Sequence, residues 1–214
     1  MKKDTRTPNS NAVLTIIKKD KQFVYHIWTL FSEVAIVGAL PNEITIFLKE
    51  TGQTYLAYEF STFTLLFFTD LHKLWYSKKG GETGLVKIIP SNIAAILTPR
   101  ALAYWISGDG SFDKTNQAIC LCTDSFTPAE LDLLRATLLS NFNIHSSRTV
   151  SNKERDQYRI RIPKREVPKI QALVSYHMPP ALPCWPFFFF FFLNYLKNSP
   201  PITSGLARRE RVLL

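Results

Sequence analysis

The chain has 214 residues, with 26 Lys+Arg against 17 Asp+Glu and a formal net charge of +9. That length suits one large domain or two small fused ones, and it can bury a real core. The basic balance points to a polyanionic partner. The three cysteines, Cys120, Cys122 and Cys184, have no zinc spacing with the histidines and read as small buried hydrophobes in a reducing compartment. Met1-Lys2-Lys3-Asp4 lacks an apolar h-region and carries an acid, which argues against a transit peptide.

In chain order, Ala12-Val13-Leu14 reads as a strand. An amphipathic helix follows over about Phe23 to Val34, with Val24, Ile27, Leu30, Phe31 and Val34 on one side. Tyr55 to Phe60 reads as a second strand. Gly80-Gly81 with Gly84 marks a hairpin or linker; no Lys-[Ser/Thr] follows, so it is not a phosphate loop. Ile88-Ile89-Pro90-Ser91-Asn92 then leads into the best-signposted helix of the chain.

Thr98 is a good N-cap for that helix, and Pro99 suits its first position. Leu102, Ala103 and Ile106 follow at helical spacing. Tyr104 and Trp105 read as packing residues. Ser107, Gly108 and Gly110 surround Asp109 with little side-chain bulk. A carboxylate at a helix C-terminus faces the negative end of the dipole, unfavourable by roughly 0.3–1 kcal/mol. A bound divalent cation would offset that cost.

Beyond it, Gln117 opens a strand through Ala118-Ile119-Cys120. Thr127 and Glu130 form a capping box with Pro128 at the first helical position, ahead of a Leu131, Leu134, Leu138 stripe. Tyr158-Arg159-Ile160-Arg161-Ile162 alternates strictly, with Tyr158, Ile160 and Ile162 facing the helices and both arginines facing out. From Arg148 to Lys169 there are eight Lys/Arg against three Asp/Glu, the densest basic stretch. Outward arginines on a concave sheet can enter a major groove and reach phosphates and guanine edges. The run Phe187–Phe192 is too short to span a membrane and is an aggregation hazard.

Leu102 to Gly110, LAYWISGDG, resembles the LAGLIDADG motif of homing endonucleases. The flanking Leu97-Thr98-Pro99 and Ser111-Phe112-Asp113 resemble those of two-motif members encoded in organelle introns. The likeness runs on through Leu121 to Thr127 and Tyr158 to Pro163, and covers roughly residues 6–183. It implies an α+β saddle of two αββαββα half-domains paired as a pseudo-dimer. An internal repeat agrees: Ala12-Val13-Leu14 parallels Ala118-Ile119-Cys120, and Tyr55 to Phe60 parallels Tyr158 to Pro163. The expected organisation is an N-terminal half over 1–80, a connection over 81–96, a motif-bearing half over 97–185 and a Phe-rich basic tail over 186–214 that departs from the family.

The repeat offset from Asp109 lands near position 3, where no motif helix is found; Lys3 to Ala12 resembles the segment that follows a first motif. The expectation is therefore one motif helix where the family packs two. Its interface face, Leu102, Ala103, Ile106 and Ser107, should be left uncovered. A monomeric pseudo-dimer is implied by the family, and a homodimer through two copies of this helix could restore a second acid.

The resemblance further implies Mg²⁺-dependent hydrolysis of a long, partly degenerate double-stranded DNA target, by a protein encoded in a mitochondrion or chloroplast. Asp109, with the Gly108 carbonyl, is the candidate metal ligand. Gln117 is a candidate for reading a base or holding water. Lys164 or Lys169, an alternative the sequence leaves open, would supply the basic group on the leaving side. Arg159, Arg161, Arg148, Lys153 and Arg155 are the DNA-contact candidates. A maturase-like splicing cofactor that binds intron RNA on the same basic surface, and a decayed inactive remnant, are the competing readings.

Overall fold

Hydroxyl side chains decide where the first strand begins. Thr69 Oγ1 accepts the Ala12 N–H at 2.8 Å, and Thr62 Oγ1 accepts the Leu14 N–H at 3.1 Å. The ladder therefore starts later than the apolar Ala12-Val13-Leu14 run suggests, and β1 is Thr15–Lys18. The computed structural model describes residues 10–49, 51–78 and 84–179. Gly80, Gly81, Cys184 and the tail over 186–214 lie outside the described residues, as does the segment before Ser10.

Asp20 caps the first helix by accepting the Phe23 N–H at 2.9 Å, and α1 spans Lys21–Glu33. Strands β2 (Asn42–Leu48) and β3 (Gln53–Ser61) follow, then α2 (Leu66–Trp75). A two-stranded ribbon of β4 (Tyr76–Lys78) and β5 (Leu85–Lys87) precedes the short α3 (Ile93–Ile96). The motif helix α4 is Pro99–Asp109, with Thr98 capping it as its sequence predicts. Strands β6 (Gly110–Asp113) and β7 (Ala118–Leu121), α5 (Pro128–Phe142), β8 (Ser147–Asn152), β9 (Gln157–Ile162) and α6 (Val167–Val174) complete the order. From α4 onward this is the αββαββα plan. Before it, the described residues supply β1, α1, β2, β3 and α2.

Both main sheets are antiparallel, ordered β1-β3-β2 and β6-β7-β9-β8. In the β4–β5 ribbon Tyr76–Lys78 pairs with Leu85–Lys87. Two adjacent amides fasten the connection. The Ile88 N–H donates to Trp75 O at 2.8 Å, and the Ile89 N–H donates to Glu130 Oε1 at 3.0 Å. Glu130 Oε2 meanwhile accepts the Thr127 N–H at 2.7 Å, which closes the capping box of α5.

The expected bare face of α4 is not bare. Leu102, Ala103 and Ile106 are each 0% exposed, and α6 and the 3-10 turn Ser175–His177 of the same half pack against α4. Ser107 is half-buried; its hydroxyl donates to Ala103 O at 2.8 Å and lies 3.7 Å from Met178 Sδ. Tyr104 points the other way, into the Phe23, Val24, Ile27, Val37 and Phe60 cluster of the N-terminal half. The cysteines also differ from expectation: Cys120 is only partly buried and Cys122 is exposed, because β7 ends at Leu121. Among the described residues, no helix is long and apolar enough to cross a membrane.

Candidate functional site

Helix α4 ends on Asp109, and the chain turns directly into β6. The Gly110 N–H still donates to Ile106 O, and Asp109 O accepts the Cys122 N–H at 2.9 Å. The Gly108 carbonyl is one of the last carbonyls of the helix, a group that needs a partner from outside it. Lys18, at the end of β1, provides one. Its Nζ donates to Gly108 O at 3.1 Å and to Asp109 Oδ1 at 3.2 Å. An ammonium from the other half thus lies against this end of the helix. Both side chains are partly open to solvent, Lys18 at 40% and Asp109 at 51%.

One flank of the acid is apolar. Ala101, Trp105 and Asp109 recur every four residues and so lie along one stripe of α4. With Trp75, Lys87, Ile89, Ile93, Ile96, Leu97, Phe126 and Leu134 they line a mostly apolar cavity of about 260 Å³. At the other flank, Tyr104 is stacked on His26 with ring centroids 6.0 Å apart, and its hydroxyl is 2.8 Å from His26 Nε2. Burial holds the His26 imidazole below its ordinary pKa, with Glu33 opposing weakly.

The C-terminal sheet carries the arginines as patterned: Ile160 and Ile162 are fully buried while Arg159 and Arg161 project from the opposite face of β9. Each is held by a carboxylate. Arg159 forks onto Asp124 through Nε at 3.0 Å and Nη2 at 2.7 Å. That pairing keeps the Asp124 carboxyl below the usual range and raises the guanidinium further. Arg161 Nη2 lies 3.6 Å from Asp113 Oδ2. Asp113 is itself fixed by the Asn116 side chain at 2.7 Å, which lowers its pKa. Arg148 sits over the Tyr158 ring at 5.0 Å and 3.4 Å from Asp132 Oδ2. Lys153 and Arg155 are exposed at the tip of the β8–β9 hairpin. On the N-terminal half, Lys19 lies over Tyr55 at 3.7 Å and Lys21 over Tyr58 at 5.5 Å.

Gln117 and Lys169 are not brought to Asp109. Gln117 is an exposed left-handed residue (φ 50°) at the tip of the β6–β7 hairpin. Asp109 pairs opposite Cys122, five strand positions from Gln117, roughly 17 Å at about 3.4 Å per residue. Lys169 is tied to Glu166 at 2.8 Å and to Asn143 O at 3.0 Å. That end of α5 is fastened by Asn141 to Ala94 and Leu97, at the opposite end of α4 from Asp109. Lys164 is exposed at the start of a 3-10 turn. The cation beside the acid, Lys18, is 91 residues away in sequence. No local pattern marks it. Cys122 follows from register alone.

The residues that could hold a divalent metal here are Asp109 and, through its carbonyl, Gly108. Among the described residues no group of three His, Cys, Asp or Glu is gathered. Mg²⁺, however, is commonly bound by one or two carboxylates with substrate phosphates and water supplying the rest. Lys18 Nζ demonstrates that the Gly108 carbonyl and the Asp109 carboxylate converge on one cation position.

An acid-tipped motif helix set between two arginine- or lysine-bearing antiparallel sheets defines a LAGLIDADG-type fold. Residues 1–170 match the LAGLIDADG DNA endonuclease family, and the chain belongs to it. It is 28% identical over 160 residues to the cytochrome b mRNA maturase bI2 of Saccharomyces cerevisiae, covering 75% of this chain and 37% of that protein. It is 28% identical over 149 residues to the DNA endonuclease I-ChuI of Chlamydomonas applanata, covering 66% of this chain and 67% of that one. The homing endonuclease I-WcaI, solved bound to its DNA recognition sequence, superimposes with a TM-score of 0.70 at 25% identity over 84% of this chain and 76% of that one. The chain therefore spans little more than a third of the yeast maturase it resembles.

Proposed function

We propose that the protein is a site-specific, divalent-metal-dependent DNA endonuclease of the homing class, encoded in an organelle intron and using Mg²⁺. The observation that carries this reading is the convergence of Asp109 and the Gly108 carbonyl on one cation position at the end of the motif helix. A divalent ion held there would supply charge relief at a phosphate and an activated water. Asp109 and Gly108 would bind and orient that ion. Arg159, Arg161 and Arg148, with Lys153 and Arg155 at the hairpin tip, would bind the duplex. The Asp124 fork occupies the Nε side of Arg159 and leaves its outer edge for a guanine or a phosphate. Lys18 is the basic residue bonded to the acid, and Lys164 or Lys169 stays the candidate for the basic group on the leaving side. The division into an N-terminal half, a connection through the β4–β5 ribbon and a motif-bearing half from 97 belongs to the same reading.

Asp109→Asn keeps the shape and removes the charge. On a plasmid pool with randomised inserts and Mg²⁺, the wild-type chain should nick a subset and the variant none, while duplex binding by the two stays alike. A variant that cuts at the wild-type rate removes Asp109 from the site.

A second reading is a maturase-like RNA-binding splicing cofactor. The name of the yeast relative favours it, and so does the Lys18–Asp109 pair, which neutralises the acid and leaves the basic sheet available. Tight binding of structured intron RNA, unaffected by Asp109→Asn and without nicking by the wild type, would establish it instead. Neither activity would leave an inactive remnant.

A further inference from the structure

We propose that Lys18 is an internal cation that holds the metal position of the site, and that a divalent ion enters by displacing it. The inference rests on the reading of Asp109 and Gly108 as metal ligands. Lys18 Nζ is almost equidistant from the two oxygens, 3.1 Å from Gly108 O and 3.2 Å from Asp109 Oδ1. Those are the oxygens a divalent ion would take, at about 2.1 Å each for Mg²⁺. An ammonium and a divalent ion cannot share that position: they would sit within one another's van der Waals radius and repel as like charges. Occupancy is therefore exclusive.

The same geometry makes the ammonium displaceable. The pair is solvent-exposed on both sides, at 40% and 51%, and exposed ion pairs contribute little net stability. The bare face of Gly108 is what lets Nζ come this close, since a Cβ there would already lie 3.7 Å from it. Once displaced, the ammonium remains tethered at the end of β1, within a side chain's length of the acid, where an incoming phosphate is its natural partner. Lys18 is thus a positioning residue: it sets the metal concentration at which the site fills, and it releases one bond between the halves when that happens.

The test is Mn²⁺ binding to the full chain without nucleic acid, followed by water-proton relaxation, for wild type, Lys18→Met, Lys18→Arg and Asp109→Asn. Melting curves check that each variant is folded, and Lys18→Gln stands in should Lys18→Met misfold. Lys18→Met should bind Mn²⁺ about threefold tighter or more, in line with losing an exposed competing pair. Lys18→Arg should stay near wild type, and adding Asp109→Asn to Lys18→Met should abolish the gain. Asp109-dependent binding that Lys18→Met leaves unchanged or weakens overturns the proposal and keeps the metal reading. Binding that depends on Asp109 in no variant overturns both.

Discussion

The C-terminal half buries sixteen apolar residues between Leu97 and Val174, whereas the N-terminal half buries eight between Ala12 and Phe68 among its described residues. Large apolar side chains left exposed run the other way, nine from Ile17 to Phe67 against three from Leu139 to Tyr176. The difference follows from helices. The C-terminal half has α4, α5 and α6 to cover its four strands. Among its described residues the N-terminal half has α1 and α2 for three strands, and it draws Tyr104 from α4 to finish its Phe23–Phe60 cluster. One motif helix thus serves two cores, closing one with Leu102, Ala103 and Ile106 and the other with Tyr104.

Truncation should separate the halves most sharply. Ile106→Ala removes a fully buried side chain and should cost about 2–5 kcal/mol in urea denaturation. Phe67→Ala, at a side chain 63% exposed, should stay within about 0.5 kcal/mol. Equal losses would mean that the N-terminal apolar surface is covered in solution. The basic residues offer a smaller contrast, arginines forked on aspartates in one half and lysines laid on tyrosines in the other. If Arg159 contacts a phosphate, Arg159→Ala should lower the slope of log affinity against log salt by about one unit. Lost discrimination at one base pair with the slope intact would assign it to direct readout. Lys19→Ala, measured alongside, tells whether the N-terminal sheet binds too.

The smallest effect lies where the halves meet. Burial lowers the folded-state pKa of His26, so the unfolded chain takes up its proton first. Stability should be fully present above the ordinary imidazole value of about 6.5 and fall as pH drops below it toward the folded-state value. Melting temperature against pH should show this slope in wild type and lose it in His26→Phe. A wild-type curve flat through that window would mean the imidazole is not buried against Tyr104 in solution.

Much of this was legible because its signals are local. Thr98-Pro99 and Thr127-Pro128-Ala129-Glu130 each state a helix start in four residues or fewer, and the alternation of Tyr158 to Ile162 states which side the arginines take. Tyr104 and Trp105 were legible as packing. What covers Leu102, Ala103 and Ile106 was not, since an apolar stripe does not say whether its partner is α6 or an absent helix. Lys18 was invisible for the same reason: a long-range ion pair between exposed groups leaves no periodicity behind. Gln117 looked near the acid in sequence, and hairpin length sets it apart; Lys169 was offered only by the family resemblance, and its ties to Glu166 and Asn143 hold it at the α5 terminus.

The two fastenings of the connection have a mechanical consequence. Ile88 is bonded back to the end of α2 and Ile89 forward to the cap of α5, by N–H groups one residue apart. A swing of one half against the other must flex that peptide unit or break one of the two bonds, besides parting the Lys18–Asp109 and His26–Tyr104 contacts. Glu130 is then both a helix cap and an anchor pin. Replacing it frays α5 and lengthens the lever by the same stroke.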